Sequence, residues 1–396
     1  MTNVLFLYEN EMPTVSLMKE GGEKEGWGLN FKSRYLSVKS IRRDDLNETD
    51  VLVLIRPTEV LSYRVACWTK RTGRLVITFC DDDLYNAPVN SALDSSRVSY
   101  FRKTLALSDI VWSSSPRIAE KYKQYTTMKR SMVTDTTVRE EDIFPHFGEN
   151  KKVKIVYAAG PSHGVLFEEI ISPILNDLYR KCNNCFSITF VGVHPELPEL
   201  EDKDADIFFV PLMPLDEYRK YMRKENFDIG LAPLHSDEFS KCKYFNKYLE
   251  YSMFGILGVY SETEPYTYVV TNRKNGLLVP NNPEDWLQAL IEAIQNADLR
   301  SRIVENAQNV LRSRFSAEGN KDRFISQIPE LLEDQKKDVT IVCASSFLFA
   351  KIEYIFRYFY LLFVSGIEYF RTNGLQKLVV KVKAHIFHMK AFHNQN

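Results

Sequence analysis

Short apolar runs alternate with segments of helical spacing along most of the chain, and this alternation restricts the fold more than any other feature. Ten runs stand out, in chain order NVLFLYE (3–9), VLVLIRP (51–57), LVITFCD (75–81), IVWSSS (110–115), KIVYAAG (154–160), FSITFVG (186–192), IFFVPL (207–212), DIGLAPL (228–234), ILGVYS (256–261) and GLLVP (276–280). Nearly continuous apolar runs are typical of strands that helices cover on both faces, so the pattern indicates βαβ units and parallel sheets. The 396 residues suffice for two such domains. The predicted fold is α/β, with two Rossmann-like layers that face each other across a cleft.

A polar segment between the two groups of strands, REEDIFPHFGENKK (139–152), is interrupted by Pro and Gly and predicts an interdomain linker. Apolar residues at helical spacing predict helices over 97–109 and 165–181. The stripe of the second helix comprises Val165, Phe167, Ile170, Ile171, Ile174, Leu175 and Leu178. Asn282 followed by Pro283 predicts the start of another helix. The segment from 10 to 40 gives no assignment.

Composition and charge argue against several classes of function. The net charge of −1 provides no basic field for a nucleic-acid partner. The six cysteines are too few and too irregularly spaced for a disulfide framework, and the pair Cys182 and Cys185 lacks the second pair that a zinc site needs. The N-terminal sequence has no basic start and no long apolar run of a signal peptide. No uncharged apolar stretch reaches the roughly 18–20 residues of a spanning helix. We therefore expect a cytoplasmic protein.

Residues 240–261 read SKCKYFNKYLEYSMFGILGVYS, and Glu250 within them precedes a small-residue turn and a buried strand. The segment resembles the C-terminal-lobe signature of retaining GT-B glycosyltransferases of the family 4 kind, with Glu250 at the second glutamate of a Glu-x7-Glu motif. The segments NRKNGLLVPNNPEDWLQAL (272–290) and IVYAAGPSHGVLFEEIISPIL (155–175) resemble further parts of that lobe. The resemblance covers about 150 to 330 and implies a retaining transfer from a nucleotide-diphosphate sugar, without a metal or other cofactor.

The resemblance also implies the domain organisation. Residues 1–145 would form an acceptor-binding domain, 150–315 a nucleotide-sugar-binding domain, 316–338 a crossover helix and linker, and 339–396 a separate tail.

The loop that opens the helix at 247–254 is the expected donor site. A diphosphate bound without metal needs backbone N–H donors at a helix N-terminus together with cations. These would come from Lys243, Tyr244, Phe245, Asn246 and Lys247. Glu250, about one turn into the helix, would accept hydrogen bonds from ribose hydroxyls, although a solvated helical glutamate is the alternative.

One position departs from the motif. Cys242 stands where the family has its first glutamate, and a thiol cannot accept charge-strength hydrogen bonds from sugar hydroxyls. Asp237 and Glu238 precede it and are candidate substitutes. The identity of the sugar is therefore open.

Two further loops carry candidate groups. Gly160, Ser162 and His163 lie between a strand and a helix, an anion-binding location, and His163 would donate a hydrogen bond to the β-phosphate. Asp82 and Asp83 end the strand LVITFC, where carboxylates face a cleft, and we assign them acceptor binding or general-base work. The alternatives for the Asp81–Asp83 run are metal chelation and helix capping. Glu9 ends the first strand and is a weaker candidate.

The tail contains a helical pattern with few charges. Over 347–371, Glu353, Arg357, Glu368 and Arg371 fall within about 60° on a helical wheel, and most of the rest is Phe, Tyr, Leu and Ile. No Asp or Glu follows Glu368, whereas several Arg, Lys and His residues do. This favours a helix at an anionic membrane surface, with a helix that closes a core or a dimer seam as the alternative. A membrane location implies a glycan or lipid-linked acceptor at the inner face of the cytoplasmic membrane.

Two other functions remain open from the sequence. A sugar-nucleotide 2-epimerase shares the two-lobed fold, and a non-catalytic partner subunit would be compatible with Cys242.

Overall fold

The computed structural model describes residues 2–19, 31–86, 95–145, 151–160, 164–183, 185–200, 205–316, 320, 326–332 and 341–364, together with 367 and 371. They form two lobes, each built on a six-stranded parallel sheet. The α/β architecture with two Rossmann-like layers is confirmed.

The first lobe holds six strands in the order β2-β1-β3-β4-β5-β6. Its elements are β1 (Thr2–Tyr8), α1 (Pro13–Lys19), β2 (Phe31–Ser37), α2 (Arg43–Asn47), β3 (Val51–Ile55), α3 (Val60–Arg71), β4 (Leu75–Phe79), α4 (Ser95–Leu107), β5 (Ile110–Ser113), α5 (Pro116–Lys123) and β6 (Arg130–Val133).

The second lobe holds six strands in the order β12-β11-β10-β7-β8-β9. Its elements are β7 (Val153–Ala158), α6 (Gly164–Ile170), α7 (Leu175–Lys181), β8 (Phe186–Val191), β9 (Asp206–Val210), α8 (Leu215–Glu225), β10 (Ile229–Ala232), α9 (Glu238–Lys241), α10 (Asn246–Met253), β11 (Leu257–Ser261), β12 (Leu277–Val279), α11 (Pro283–Gln295) and α12 (Ala297–Arg314).

Side chains on both faces bury the central strands. In β3, Val51, Val53 and Ile55 pack into one apolar cluster, whereas Leu52 and Leu54 pack into the cluster on the opposite face. Each such side chain stabilises the fold by about 1.5–3 kcal/mol when fully buried. All ten apolar runs contain strands, which confirms the ten predicted strands.

The helix predicted over 165–181 is interrupted. It consists of α6, a 3-10 turn over Ser172–Ile174, and α7. Pro173 has no N–H to donate and its ring clashes with the preceding turn, so one continuous helix is disfavoured. Val165 is 55% exposed and lies outside the buried stripe. The predicted helix start is confirmed, because the Asn282 side chain accepts from the Asp285 N–H and Pro283 follows it.

The chain passes between the lobes twice. Val138 and Ile143 pack in the apolar core of the second lobe, so this lobe includes residues before the predicted boundary at 145. Residues 326–332 lie back on the first lobe, where Ile328 is buried and the Gln327 side chain hydrogen-bonds Val133. Residues 326–332 therefore pack with the first lobe.

A helix over 344–364 packs against the first lobe. Ala350 and Tyr354 are buried in the cluster that also holds α3 residues such as Val65. None of the helices in the described part of the chain is both long and apolar enough to cross a membrane.

Candidate active site

The carboxyl ends of both sheets bring polar and charged residues to the two sides of a cleft. Glu9, Arg56 and the Asp81–Asp83 run follow β1, β3 and β4 in the first lobe. In the second lobe, Gly160 follows β7 and Gly192 follows β8, and the N-terminus of α10 lies in the segment between β10 and β11. Because strands of a parallel sheet end at one edge, each lobe gathers these groups on one side.

Glu250 forms a compact charged group with two neighbours. Lys247 Nζ lies 2.8 Å from Glu250 Oε1, and the Tyr218 hydroxyl, from α8, donates to the same oxygen. The Glu250 side chain remains 20% exposed. Burial, and next the neighbouring Glu250 charge, raise the pKa of Tyr218 well above its ordinary value. Tyr218 therefore stays protonated and donates, which orients the carboxylate that sequence reasoning had singled out.

The other predicted residues at the start of α10 divide into two groups. The Tyr244 and Phe245 side chains are buried, and Tyr244 hydrogen-bonds Asp135 and the Thr136 N–H rather than facing open space. Asn246 is exposed, and Lys243 Nζ lies 5.0 Å from the centre of the Phe239 ring. If Tyr244 or Phe245 contacts a nucleotide-sugar, it must therefore do so through its backbone.

Arg56 organises the acidic run of the first lobe. Its guanidinium lies 2.9 Å from Asp82 Oδ2 and 3.4 Å from Asp81 Oδ1. Arg56 adopts a left-handed backbone conformation with φ of 48°, which is uncommon for a residue with a side chain. Thr14 donates to Asp81 at 2.5 Å. Asp82, at 35% exposure, is the more accessible of the two carboxylates.

Asp83 is held inside the protein. Its carboxylate is 3% exposed and accepts hydrogen bonds from Lys121 Nζ at 2.6 Å and from the Tyr122 hydroxyl. Burial acts to raise the pKa of Asp83, but the hydrogen bonds from Lys121 and Tyr122 outweigh it and hold the pKa below its ordinary value. Asp83 is thus an ionised partner in a buried network. That network does not favour the acceptor or general-base role that the sequence suggested.

Cys242 completes this network from the second lobe. Its side chain is fully buried among first-lobe residues such as Phe101 and Ile118, and its thiol lies 3.9 Å from Asp83 Oδ2. Burial, and next the Asp83 charge, raise the pKa of Cys242 to about 11, so the thiol is a neutral donor. The residue that replaces the first motif glutamate therefore joins the two lobes.

A second contact between the lobes involves Arg117, which the sequence did not single out. From the first turn of α5, its guanidinium lies 2.8 Å from Glu238 and 3.2 Å from Glu264, both in the second lobe. Glu238 was a candidate substitute for the missing glutamate, and here it pairs with an arginine. An isolated surface arginine carries no sequence signal of such a role.

Glu9 caps the start of α3. Its carboxylate accepts from the Thr58 N–H and hydroxyl, both at 2.6 Å, and from the Glu59 N–H and Ser62 hydroxyl, both at 2.7 Å. Burial, opposed by these hydrogen bonds, raises the pKa of Glu9 to about 7. The group is a buried structural cap rather than a free side chain in the cleft.

The predicted phosphate loop is described only in part. Ser162 and His163 lie outside the described residues, so their predicted roles remain predictions. Gly160 follows β7, next to Ala159, whose carbonyl oxygen approaches Gly192 closely. A Cβ atom at Gly192 would lie 2.7 Å from that oxygen, and the φ of 77° also favours glycine.

Within the described part of the chain, no group of three or more His, Cys, Asp or Glu side chains is arranged to hold a metal ion. Asp81 and Asp82 instead share a guanidinium, and Asp83 pairs with an ammonium group.

Solved structures with the same architecture are known. Anabaena HepE in complex with UDP and glucose is 11% identical, with a TM-score of 0.58 over 83% of this chain and 100% of that chain. Sucrose-phosphate synthase from Thermosynechococcus elongatus is 12% identical, with a TM-score of 0.56 over 84% and 99%. A Listeria monocytogenes protein described as a putative UDP-N-acetylglucosamine 2-epimerase is 10% identical, with a TM-score of 0.50 over 85% and 98%. No protein-family model and no curated protein sequence matches the chain. Identities this low show the fold alone, and that fold is the two-lobed GT-B fold.

Proposed function

We propose that the protein is a glycosyltransferase that moves a sugar from a nucleotide-diphosphate sugar to a glycan or lipid-linked glycan acceptor in the synthesis of a cell-surface polysaccharide. The observation that carries the proposal is the Glu250 group at the start of α10. A partly buried carboxylate, 20% exposed, and an ammonium group lie beside a helix N-terminus, an arrangement that suits a ribose and a diphosphate. Among the described residues, both hydrogen bonds to the carboxylate use Oε1, so Oε2 would accept from a ribose hydroxyl.

The second lobe would bind the donor. Lys243, Lys247 and the amides at the start of α10 would neutralise the leaving diphosphate, with Gly160, Ser162 and His163 on its other side. The bond between the anomeric carbon and the β-phosphate oxygen breaks, and a bond to the acceptor hydroxyl oxygen forms. The proton of the acceptor hydroxyl would pass to the carboxylate of Asp82, which is accessible and held in place by Arg56. Retention of configuration and independence of metal follow from the family 4 resemblance and complete the proposal.

The acceptor would be held by the first lobe at the inner face of the cytoplasmic membrane, where the protein would be a peripheral component. The exposed aromatic residues of the helix over 344–364 support this location.

Isothermal titration of the protein with UDP, ADP and GDP tests the donor site directly. Binding of one nucleoside diphosphate in the micromolar range, about −8 kcal/mol, supports the proposal. Failure to bind any of them or their sugar conjugates favours a non-catalytic subunit that kept the fold.

A 2-epimerase is the second candidate, because a solved protein described by that activity shares the fold. Product analysis without an acceptor separates the two reactions. An epimerase converts the sugar nucleotide into its 2-epimer or eliminates the nucleotide, whereas a transferase requires an acceptor for more than slow hydrolysis.

A further inference from the structure

The helix over 344–364 is fixed to the first lobe by its polar side. Glu353 pairs with Arg64 of α3, and Arg357 donates to the Ser96 hydroxyl in the first turn of α4. The Arg357 guanidinium also lies 4.9 Å from the centre of the Tyr100 ring. The charged residues that an amphipathic helix would normally present to water thus face the protein.

The direction of this helix follows from its contacts. Phe347, near its start, packs on Trp68 in the third turn of α3, with ring centres 6.0 Å apart. Arg357, in its C-terminal half, lies 4.0 Å from Glu59, which occupies the N-cap position immediately before α3. The helix therefore runs antiparallel to α3, and its C-terminal half lies where α3 and α4 begin. In a βαβ unit that is the edge where the strands end, so this half borders the cleft.

The outward side of the helix is apolar. Large aromatic and aliphatic side chains are exposed along its whole length: Leu348 61%, Phe349 71%, Ile352 41%, Ile355 48%, Phe356 72%, Phe359 62%, Tyr360 65%, Leu362 37%, Phe363 67% and Val364 40%. An exposed apolar surface of this kind is typical of a region that contacts a membrane or another protein.

Cations flank the apolar surface on both sides. Lys351 donates to the Lys39 carbonyl, and Lys39 Nζ lies 5.9 Å from the centre of the Tyr358 ring. Lys103 lies beside Tyr100 on the opposite side. In the sequence after Glu368, Arg371, Lys377, Lys381, Lys383 and Lys390 follow without a further acidic residue. Aromatic side chains between cations match the interface of an anionic bilayer, in which rings enter the headgroup region and ammonium groups meet phosphates.

We propose that this docked helix fixes the face of the first lobe that carries α3 and α4 on an anionic phospholipid bilayer, with the cleft beside the membrane and the second lobe in water. The acceptor would then enter from the bilayer, and the donor from solution. The role of the acceptor rests on the proposed function, but the orientation on the membrane does not. If the helix were instead a flexible tether, the lobes could rotate relative to the membrane and would have no fixed orientation.

Fluorescence quenching measures this orientation. The first labelled protein carries a probe at Ser95→Cys, an exposed position at the start of α4, with Cys185→Ser and Cys343→Ser. The second carries a probe on native Cys185 of the second lobe, with Cys343→Ser. Vesicles contain phosphatidylglycerol and brominated phosphatidylcholine. We expect quenching of the probe at position 95 and none at Cys185. Quenching at both or at Cys185 alone would overturn the proposal, and so would sedimentation with vesicles without quenching at position 95.

Sedimentation of matched variants tests the surface itself. Phe356→Gln with Phe363→Gln should lower the fraction bound to these vesicles roughly tenfold or more, because two rings no longer enter the interface. Phe208→Gln, which changes a 52% exposed ring on β9 of the second lobe, should leave it unchanged. Equal binding of wild type and the double variant, or no binding of the wild type, would overturn the proposal. Titration with UDP is independent of these changes, so a failed donor site and a failed membrane site are distinguishable.

Discussion

The thiol of Cys242, in the second lobe, lies 3.9 Å from Oδ2 of Asp83, in the first lobe. Asp83 also accepts from Lys121 and Tyr122, so this one carboxylate connects both lobes. Position 242 therefore belongs to the contact between the lobes.

Substitutions at Cys242 should separate this contact between the lobes from the role that the motif resemblance predicts for the position. Cys242→Ser keeps a donor to Asp83 and should change the free energy of unfolding by about 1 kcal/mol or less. Cys242→Glu restores the glutamate of the motif but buries a second carboxylate beside Asp83, and should cost about 3 kcal/mol or more. Urea denaturation measures both. Wild-type stability of the glutamate variant would mean that this contact does not persist in solution.

Glu250→Gln should weaken the binding of UDP. The amide keeps the size of the side chain but loses the charge that strengthens hydrogen bonds from hydroxyls. Loss of a charge-assisted hydrogen bond is worth about 1.5–3 kcal/mol, or roughly ten- to hundredfold in Kd. Titration calorimetry measures it, and the exposed Glu284→Gln of α11 is the matched control. An unchanged Kd would remove Glu250 from the donor site.

Excess EDTA should leave the affinity for UDP and any transfer activity unchanged. In the proposed mechanism, Lys243, Lys247 and the start of α10 would supply the positive charge that neutralises the diphosphate, so no metal ion would be needed. The measurement is a titration with UDP before and after chelation. A loss that Mg²⁺ or Mn²⁺ restores would contradict the proposal and return Asp81 and Asp83 to consideration as ligands.

Gly192→Ala should disturb the loop after β7. Its Cβ would meet the Ala159 carbonyl oxygen at 2.7 Å, and its φ of 77° adds strain. Gly73→Ala is the control, because it has a similar φ of 73° with no atom within 4 Å. The control should lose about 1 kcal/mol of stability, and Gly192→Ala distinctly more, with weaker UDP binding. Equal losses of stability in Gly192→Ala and Gly73→Ala, measured by thermal melting, would show that the contact with the Ala159 carbonyl oxygen has no effect.

The ionisation of Glu9 should make the free energy of unfolding depend on pH. The folded protein holds the Glu9 proton up to a pKa of about 7, above the value in the unfolded chain. Glu9 therefore favours the folded state at low pH, and this contribution is lost as pH rises. Between about pH 4.5 and 7, the free energy of unfolding should fall by about 3 kcal/mol relative to Glu9→Gln. Urea denaturation across this range measures it, with the exposed Glu305→Gln following wild type. Parallel profiles for wild type and Glu9→Gln would contradict it.

Most strands that could be predicted from the sequence are buried on both faces, and β9 was found at a sheet edge only because its run is strongly apolar. The two that were missed, β2 and β6, lie at the edges of the first sheet, and most of their residues are half-buried. Their alternating or polar sequences, such as FKSRYLS, give a weak apolar signal. The break at Pro173 was also visible in the sequence, but the strong stripe around it masked the signal.

The candidate site was less predictable because its main contacts join distant segments. The position of Glu250 followed from the motif, but its hydrogen bond with Tyr218 spans 32 residues. Arg117 meets Glu238 and Glu264 more than a hundred residues later. Burial of Tyr244 and Phe245 depends on how the helix faces the core, which local spacing does not determine. Pairings of this kind arise only when both lobes are assembled.

The double passage of the chain between the lobes limits how the protein can open. Asp135, just before the first passage, pairs with Arg314, just before the second, at 2.8 Å. Asn320 and Thr137 make another contact between these passages at 3.4 Å. Two adjacent connections favour rotation about a single axis, so we expect the lobes to open as a hinge rather than slide. A protease that cut one passage would therefore yield two fragments that still migrate together under native conditions and separate only in denaturant.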